Sequence, residues 1–351
     1  MTQWIYQTLP RPSVEFESLA RQHQAQLTKP PGSLGQLEEL AIQLASLQGT
    51  NQPSVERVAI RVFAADHGVV AEGVSAYPQE VTVEMIRNFV QGGAAISVMA
   101  REYGADFKVV NVGTAFPSPE HEMVLQYPVA AGTENFSRTA AMSDKQLVQI
   151  LSVGSQVAEK AVASGIELFI GGEMGIGNTS AAAALACALL KEDPQQLVGL
   201  GTGVDQAGFM RKIAVVRRGL KQHQSAFDNP LEILRCLGGY EIAALVASYL
   251  RCAQLGIPSL VDGFICSVAA LLACAINPEL KSWLIFSHQS AEAGHCRVLE
   301  ALNAQPLLQL GMRLGEASGA AVALPLLRLA CSLHSQMATF AEAGVSAKEM
   351  N

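Results

Sequence analysis

Short apolar runs alternate with long Ala- and Leu-rich stretches through most of this chain, and that alternation limits the folds open to it. The runs are Val58–Ala64, Phe107–Val112, Glu167–Gly171, Pro258–Val261 and Trp283–Phe286. Each is mostly apolar and partly β-branched, as expected for a strand buried on both faces of a parallel sheet. Between them, Lys145–Ala163, Ser180–Leu190, Gly239–Ala253 and Phe264–Ala275 carry helical spacing. Strands alternating with helices predict an α/β fold with a central parallel sheet flanked by helices. Residues 1–50 and 320–351 read as helical without strands. A small helical domain built from both chain ends is therefore expected beside a large α/β domain of residues 51–319.

Composition narrows the function classes. Half of the 351 residues are hydrophobic and 16% are charged, enough apolar material for a substantial core. The net charge is −7, and no Lys/Arg stripe offers a footprint for nucleic acid. The seven cysteines form no CxxC pair and suit reduced, buried thiols better than disulfides or zinc. The N-terminus lacks the basic-then-apolar form of a signal peptide. The uncharged, strongly apolar run Gly263 to Pro278 is too short to span a bilayer. A cytoplasmic protein with neither a nucleic-acid nor a membrane partner is expected.

The segments leaving the strands carry the chemistry. Ala65–Gly68, Gly113-Thr114, Gly171–Ser180, Asp262-Gly263 and Ser287–Ser290 are polar exits, four of the five with glycine. In parallel α/β sheets, ligands bind outside the carboxyl ends of the strands. The exit Gly171–Ser180 opens an Ala-rich helix. Its glycines allow close backbone approach, and the helix start offers free N–H groups. Asn178, Thr179 and Ser180 either cap that helix or donate to a phosphate. No Gly-Lys-Ser/Thr comes after it, and Ser180 stands where a dinucleotide fingerprint has its third glycine. A monophosphate therefore fits better than ATP or NAD, with a simple helix cap as the other reading. A second glycine run, Gly199–Asp205, precedes a helix carrying Lys212, which is either a phosphate partner or a surface lysine.

Asp66-His67-Gly68 and Ser287-His288 with Ser290 have neither metal-ligand spacing nor a nucleophile elbow. They read as substrate contacts or structural hydrogen bonds, and no metal is expected. In Lys29–Gly35, the prolines fix a turn and Ser33 is expected to cap the next helix. Met312–Ala321 sets Glu316 at the first turn of a buried Ala/Leu helix. That carboxylate is either a helix-dipole partner, worth about 0.3–1 kcal/mol, or a working base.

Together, Lys29–Leu34, Ala65–Gly68, Gly172–Thr179, Asp262–Gly263, Ser287–Glu292 and Arg313–Ala321 resemble a known family. In order, and over nearly the whole chain, they are similar to the nicotinate-nucleotide:dimethylbenzimidazole phosphoribosyltransferases of cobamide (vitamin B12) biosynthesis. The resemblance implies a Rossmann-like large domain, a small helical domain from both termini, and a homodimer with active sites near its interface. It implies transfer of phosphoribose from nicotinate mononucleotide to 5,6-dimethylbenzimidazole, without metal or cofactor. It makes Glu316 the general base and Glu173 a second active-site carboxylate. Gly175, Gly177, Asn178, Thr179, Lys212 and Ser290 become phosphate and ribose contacts, and Leu314 a wall of the aromatic pocket.

On the benzimidazole side the chain departs from some relatives at Val74–Pro78 and Met85. Tyr77 offers a stacking ring or a hydroxyl, and Met85 an adaptable apolar wall, unless both are core packing. Three other readings stand beside this one: the same reaction on another base, such as adenine or a phenol; a silent nucleotide-binding subunit; and a hydrolase of nicotinate mononucleotide.

Overall fold

A computed structural model describes residues 3–199, 201, 203 and 205–346. Six strands form one sheet: β1 Val58–Ala65, β2 Asp106–Gly113, β3 Val124–Gln126, β4 Leu168–Met174, β5 Ser259–Val261 and β6 Leu284–Phe286. They lie in the order β3-β2-β1-β4-β5-β6, and every pairing is parallel. The α/β class expected from the alternation is therefore the observed one. β3 lies outside the expected strands. Its three residues sit in a polar loop and gain strand geometry only by docking on β2, from Val109↔Val124 to Asn111↔Gln126. β4 also runs past Gly171 to Met174, so Glu173 is a strand residue and not part of the loop.

All eight residues of β1 are buried, because helices cover both sheet faces. Ala59 and Phe63 join one apolar cluster with Leu151, Leu185 and Leu245; Ile60 and Val62 join the other with Leu44, Phe89 and Leu324. That is the strand's period of two, read out as two cores.

In the first core, the helices Asp144–Ala163 and Tyr240–Gln254 pack together so closely that Gly154 meets the carbonyl of Ala244 and the methyl of Ala247. Ser248 Oγ donates to the Gly154 carbonyl at 3.0 Å. A methyl group has no room at this crossing. Gly154→Ala is expected to destabilise the protein by about 1–3 kcal/mol, measured by denaturant unfolding, because the backbones must separate.

The chain ends meet on the second face. The helix Gln36–Gln48 packs on both Val14–Gln26 and Ser318–Gln336. Leu40, Leu44, Leu324 and Leu327 share one cluster with Ile60 and Ile170 of the sheet. Residues 1, 2 and 347–351, which the expected terminal domain includes, lie outside the described residues.

Ser33 does not cap the helix Gln36–Gln48. Its N-cap is Gly35, which has no side chain to offer. Glu38 reaches back from the first turn, accepting the Leu34 N–H at 2.9 Å and pairing with Lys29 Nζ at 2.8 Å. A buried ion pair has replaced the hydroxyl cap.

Candidate active site

The sheet order reverses between β1 and β4: β2 flanks β1 on one side and β4 on the other. The crevice outside the carboxyl ends of these strands is the switch point at which such sheets bind ligands. Four segments meet in one cleft there. Glu173, Gly175, Asn178 and Thr179 come from the β4 exit, Asp262 and Gly263 from β5, His288 and Ser290 from β6, and Arg313–Glu316 from the last loop.

Glu316 does not sit in the first turn of the Ala/Leu helix. That helix begins at Ser318, and Glu316 and Ala317 precede it with φ of 61° and 65°. Two non-glycine residues in left-handed backbone cost about 1–3 kcal/mol each, so the surrounding packing must hold them there. Gly172 of β4 supplies part of that hold. A Cβ placed on it would stand 2.7 Å from the Ala317 nitrogen, so the strained turn rests directly on the strand. The carboxylate is buried, with 6% exposure. Burial, and then the Asp262 carboxylate, push Glu316 up from 4.5 to about 7.

Glu173 lies alongside. Its carboxyl group fills the space a side chain on Gly315 would need, and it accepts a hydrogen bond from Asn178 Nδ2. Burial, followed by Asp262, Glu241 and Glu316, raises Glu173 well above the usual carboxylate range. Asn178 is expected from the sequence at a phosphate or as a helix cap. Its amide is instead committed to Glu173, and the N-cap of the helix Asn178–Leu190 is Gly177, in left-handed backbone without a side-chain cap.

A buried cation stands behind Thr179 and Gly201 of the cleft lining. Lys212 is 2% exposed, which rules out the surface-lysine reading, and its Nζ donates to Thr179 Oγ1 at 2.9 Å. Burial lowers it to about 8 against the opposing pull of Glu292. Gly201 stands beside both groups, and its carbonyl accepts from Arg313 Nη1 at 3.2 Å. Leu200, Thr202 and Val204 of that glycine run lie outside the described residues. The main chain of Ser290 is fixed by His295, whose Nδ1 accepts the Ser290 N–H at 2.8 Å. Burial, and then His288, hold His295 down to about 3, so the imidazole is neutral and Nε2–H donates to Ser267 Oγ at 2.9 Å.

Beneath the turn Gly175–Gly177 runs a second buried network. Asp66 accepts from Thr82 Oγ1 at 2.6 Å and from the Ala115 N–H at 2.8 Å, and Thr82 Oγ1 accepts the Ile176 N–H at 3.2 Å. His67 Nε2 pairs with Glu241 Oε1 at 2.7 Å. Asp66 and His67 are thus structural partners of the turn. Asp262 and His288 are strand-exit residues in the sequence reading, without a role of their own, and Glu241 is not singled out there. Glu241 carries one usable signal, a carboxylate just after Gly238-Gly239 in an otherwise apolar helix.

Tyr77 and Met85 do not line this cleft. Tyr77 is half exposed, and Met85 packs on the apolar cluster that holds Ile60 and Val62. Leu314 does line it, with 56% of its surface open. A larger groove of about 800 Å³ runs between Leu9–Pro12, the helix Gln36–Gln48 and β6. Of its charged groups, Arg11, Glu39 and Glu279 are exposed to solvent and Lys281 is half-buried, and they assemble no pair of buried carboxyl groups, so the smaller cleft is the chemical one.

Comparison with known proteins points the same way. A family model described as phosphoribosyltransferase matches residues 9–345. A nicotinate-nucleotide–dimethylbenzimidazole phosphoribosyltransferase of Pseudomonas aeruginosa (strain LESB58) is 57% identical over 344 residues, 98% of each chain. One from Azotobacter vinelandii is 58% identical over 330 residues, 94% of each. The crystal structure of the Thermus thermophilus enzyme of that name superposes with a TM-score of 0.90 at 44% identity, over 96% of this chain and 100% of that one. A structure described as CobT from the same organism gives 0.91 at 46%, over 95% and 100%.

Proposed function

Because this chain belongs to the nicotinate-nucleotide–dimethylbenzimidazole phosphoribosyltransferase family, we propose that it moves phosphoribose from nicotinate mononucleotide to 5,6-dimethylbenzimidazole. The products are α-ribazole 5′-phosphate and nicotinate, and the step belongs to nucleotide-loop assembly in cobalamin biosynthesis. The observation that carries the reading is a pair of neighbouring buried carboxyl groups, Glu173 and Glu316, in one cleft with Thr179, whose hydroxyl accepts from the buried Lys212.

Burial holds Glu173 well above the usual carboxylate range, and Glu316, pushed up to about 7, is available as a base near neutral pH. One benzimidazole nitrogen attacks C1′ from the face opposite nicotinate, with inversion. The C1′–pyridinium bond breaks with its electron pair returning to the ring, so the leaving group needs no proton. The other benzimidazole nitrogen loses its proton to Glu316, an arrangement suited to general-base catalysis. Glu173, kept in place by Asn178, borders the reacting centre.

Gly175, Gly177, Thr179, Lys212 and Ser290 receive the phosphate and ribose in this reading, with Lys212 as the point charge. Lys212→Met keeps the side chain's length and removes the charge. We expect KM for nicotinate mononucleotide to rise about 10–100-fold, the worth of a hydrogen bond to a charged group, with a smaller change in kcat. An unchanged KM in steady-state assays would leave the lysine a partner of Thr179 alone.

Tyr77 and Met85, as base-side residues, would have to act from beyond the cleft lining. The reading also sets the helices of residues 1–50 and 320–351 apart as a small domain and makes the protein a cytoplasmic homodimer. Exposed Leu310 and Leu314 support a second copy near the cleft mouth, and sedimentation would report it. Among the described residues no helix is long and apolar enough to cross a membrane.

The deciding assay incubates purified protein with nicotinate mononucleotide, with and without dimethylbenzimidazole, and follows products by mass spectrometry. A base-dependent α-ribazole 5′-phosphate peak is expected. Nicotinate released without base would make the protein a hydrolase, and intact substrate across a panel of bases would make it a binding protein.

A further inference from the structure

A buried pair beside Glu316 takes no part in the chemistry above. Asp262, 1% exposed, ends β5, and His288, 3% exposed, lies just past β6. Asp262 Oδ1 accepts the Ala320 N–H at 2.8 Å, and the Gly263 and Gly319 amides also face its carboxylate. The helix Ser318–Gln336 has no side-chain cap of its own, because Ala317 stands at its N-cap. Asp262 provides the missing acceptor from a separate strand. His288 Nε2 stands 3.7 Å from Asp262 Oδ1, and His288 Nδ1 is buried without a hydrogen-bond partner among the described residues. Gly319 threads between the imidazole and the carboxylate, where no side chain would fit.

We propose that Asp262 and His288 form a positioning pair for Glu316. Asp262 anchors the helix start that holds the strained Glu316–Ala317 turn and gives the base a like-charged neighbour. His288 sets how much of that charge Glu316 feels. The inference deepens the reading of Glu316 as base and rests on it.

Other groups face this corner as well. Glu173 comes from β4, Glu241 from the helix Tyr240–Gln254 and Cys266 from the helix Phe264–Ile276. His295 presents a neutral ring 6.2 Å from His288. Glu292 and Arg313 border the cleft, and Lys212 lies behind Thr179. Of the carboxylates, Asp262 is the one whose charge acts directly on Glu316.

The test reads Glu316 itself, by ¹³C NMR of its carboxyl carbon, assigned through its loss in Glu316→Gln and titrated without substrate. Asp262→Asn keeps an acceptor oxygen for the Ala320 N–H and removes the charge. The Glu316 midpoint should fall by about 1 pH unit, the low end of what a nearby charge contributes. His288→Asn removes the group that offsets the charge of Asp262, so it should raise the midpoint, and it should add nothing in the Asp262→Asn background.

An unmoved midpoint in Asp262→Asn overturns the proposal, as does an equal effect of His288→Asn with and without Asp262. Should Asp262→Asn fail to fold, His288→Asn alone decides by direction, and no rise counts against the pair. The acid limb of kcat should track the carboxyl. If the carboxyl moves and the limb stays, the pair stands and the base reading fails.

Discussion

Replacing Glu316 by Gln is expected to lower kcat about 10²–10⁴-fold while nicotinate mononucleotide still binds. The amide keeps the side chain's shape but cannot take the proton that benzimidazole must lose. The pH dependence gives a second check. With Glu316 at about 7, wild-type kcat should fall as pH drops below that value, by about tenfold per unit, whereas the variant's residual rate should lack this limb.

The same substitution should also stabilise the protein. Glu316 binds its proton more tightly folded than unfolded, so the native state is favoured at low pH, and that advantage is lost as pH rises from 4.5 through about 7. At 1.36 kcal/mol per unit, keeping an ionised carboxylate buried costs about 3 kcal/mol above pH 7. Gln is neutral throughout. Thermal melts should therefore show Glu316→Gln more stable than wild type at pH 8 and equal to it near pH 4. A variant with no such gain would show that burial does not set the proton affinity of Glu316.

The second large effect is expected at Glu241. Burial alone would lower His67; the charge and hydrogen bond of Glu241, helped by Asp66, more than offset it and hold the imidazole above its ordinary 6.5. Both side chains are fully buried, and the pair lies under the Gly175–Gly177 turn, with His67 Cβ 3.2 Å from where a Gly177 side chain would begin. Removing one partner of such a pair typically costs about 3–5 kcal/mol. Glu241→Ala should lose that much at pH 6.

The sign comes from the raised group. His67 contributes stability that is fully present below 6.5 and lost as pH rises through its folded value, so the deficit of the variant should narrow toward pH 9. Chemical denaturation at the two pH values measures both. A deficit that does not change with pH would mean the pair holds by hydrogen bonding and packing rather than by charge.

Much of this fold is written locally. Val58–Ala65 and most of Asp106–Gly113 are buried, so each leaves a mostly apolar, β-branched run that names the strand without any long-range knowledge. Val124–Gln126 carries no such signature, because an edge strand of three residues owes its geometry to its neighbour. The site divides the same way. Glu173 and Glu316 stand out as carboxylates in apolar, glycine-rich company. The Asp262 cap does not, since its acceptor role joins residues 58 positions apart that only the folded sheet brings together. Asn178 departs from its expected role for a related reason. Its neighbours in the chain suggest a cap, but Glu173, drawn onto the strand, is the nearer partner.

The last helix has a consequence for synthesis on the ribosome. β6 ends at Phe286, so every strand of the sheet has been made before Glu316 is translated. The nascent protein can assemble its sheet before the Glu316 turn is held, because that turn is fixed only once Ser318–Gln336 docks against β4 and the helix Gln36–Gln48. Until then Leu40 and Leu44, made early, lack their late-arriving apolar partners Leu324 and Leu327. The hold on the Glu316 turn is thus set late, together with the cover for Leu40 and Leu44.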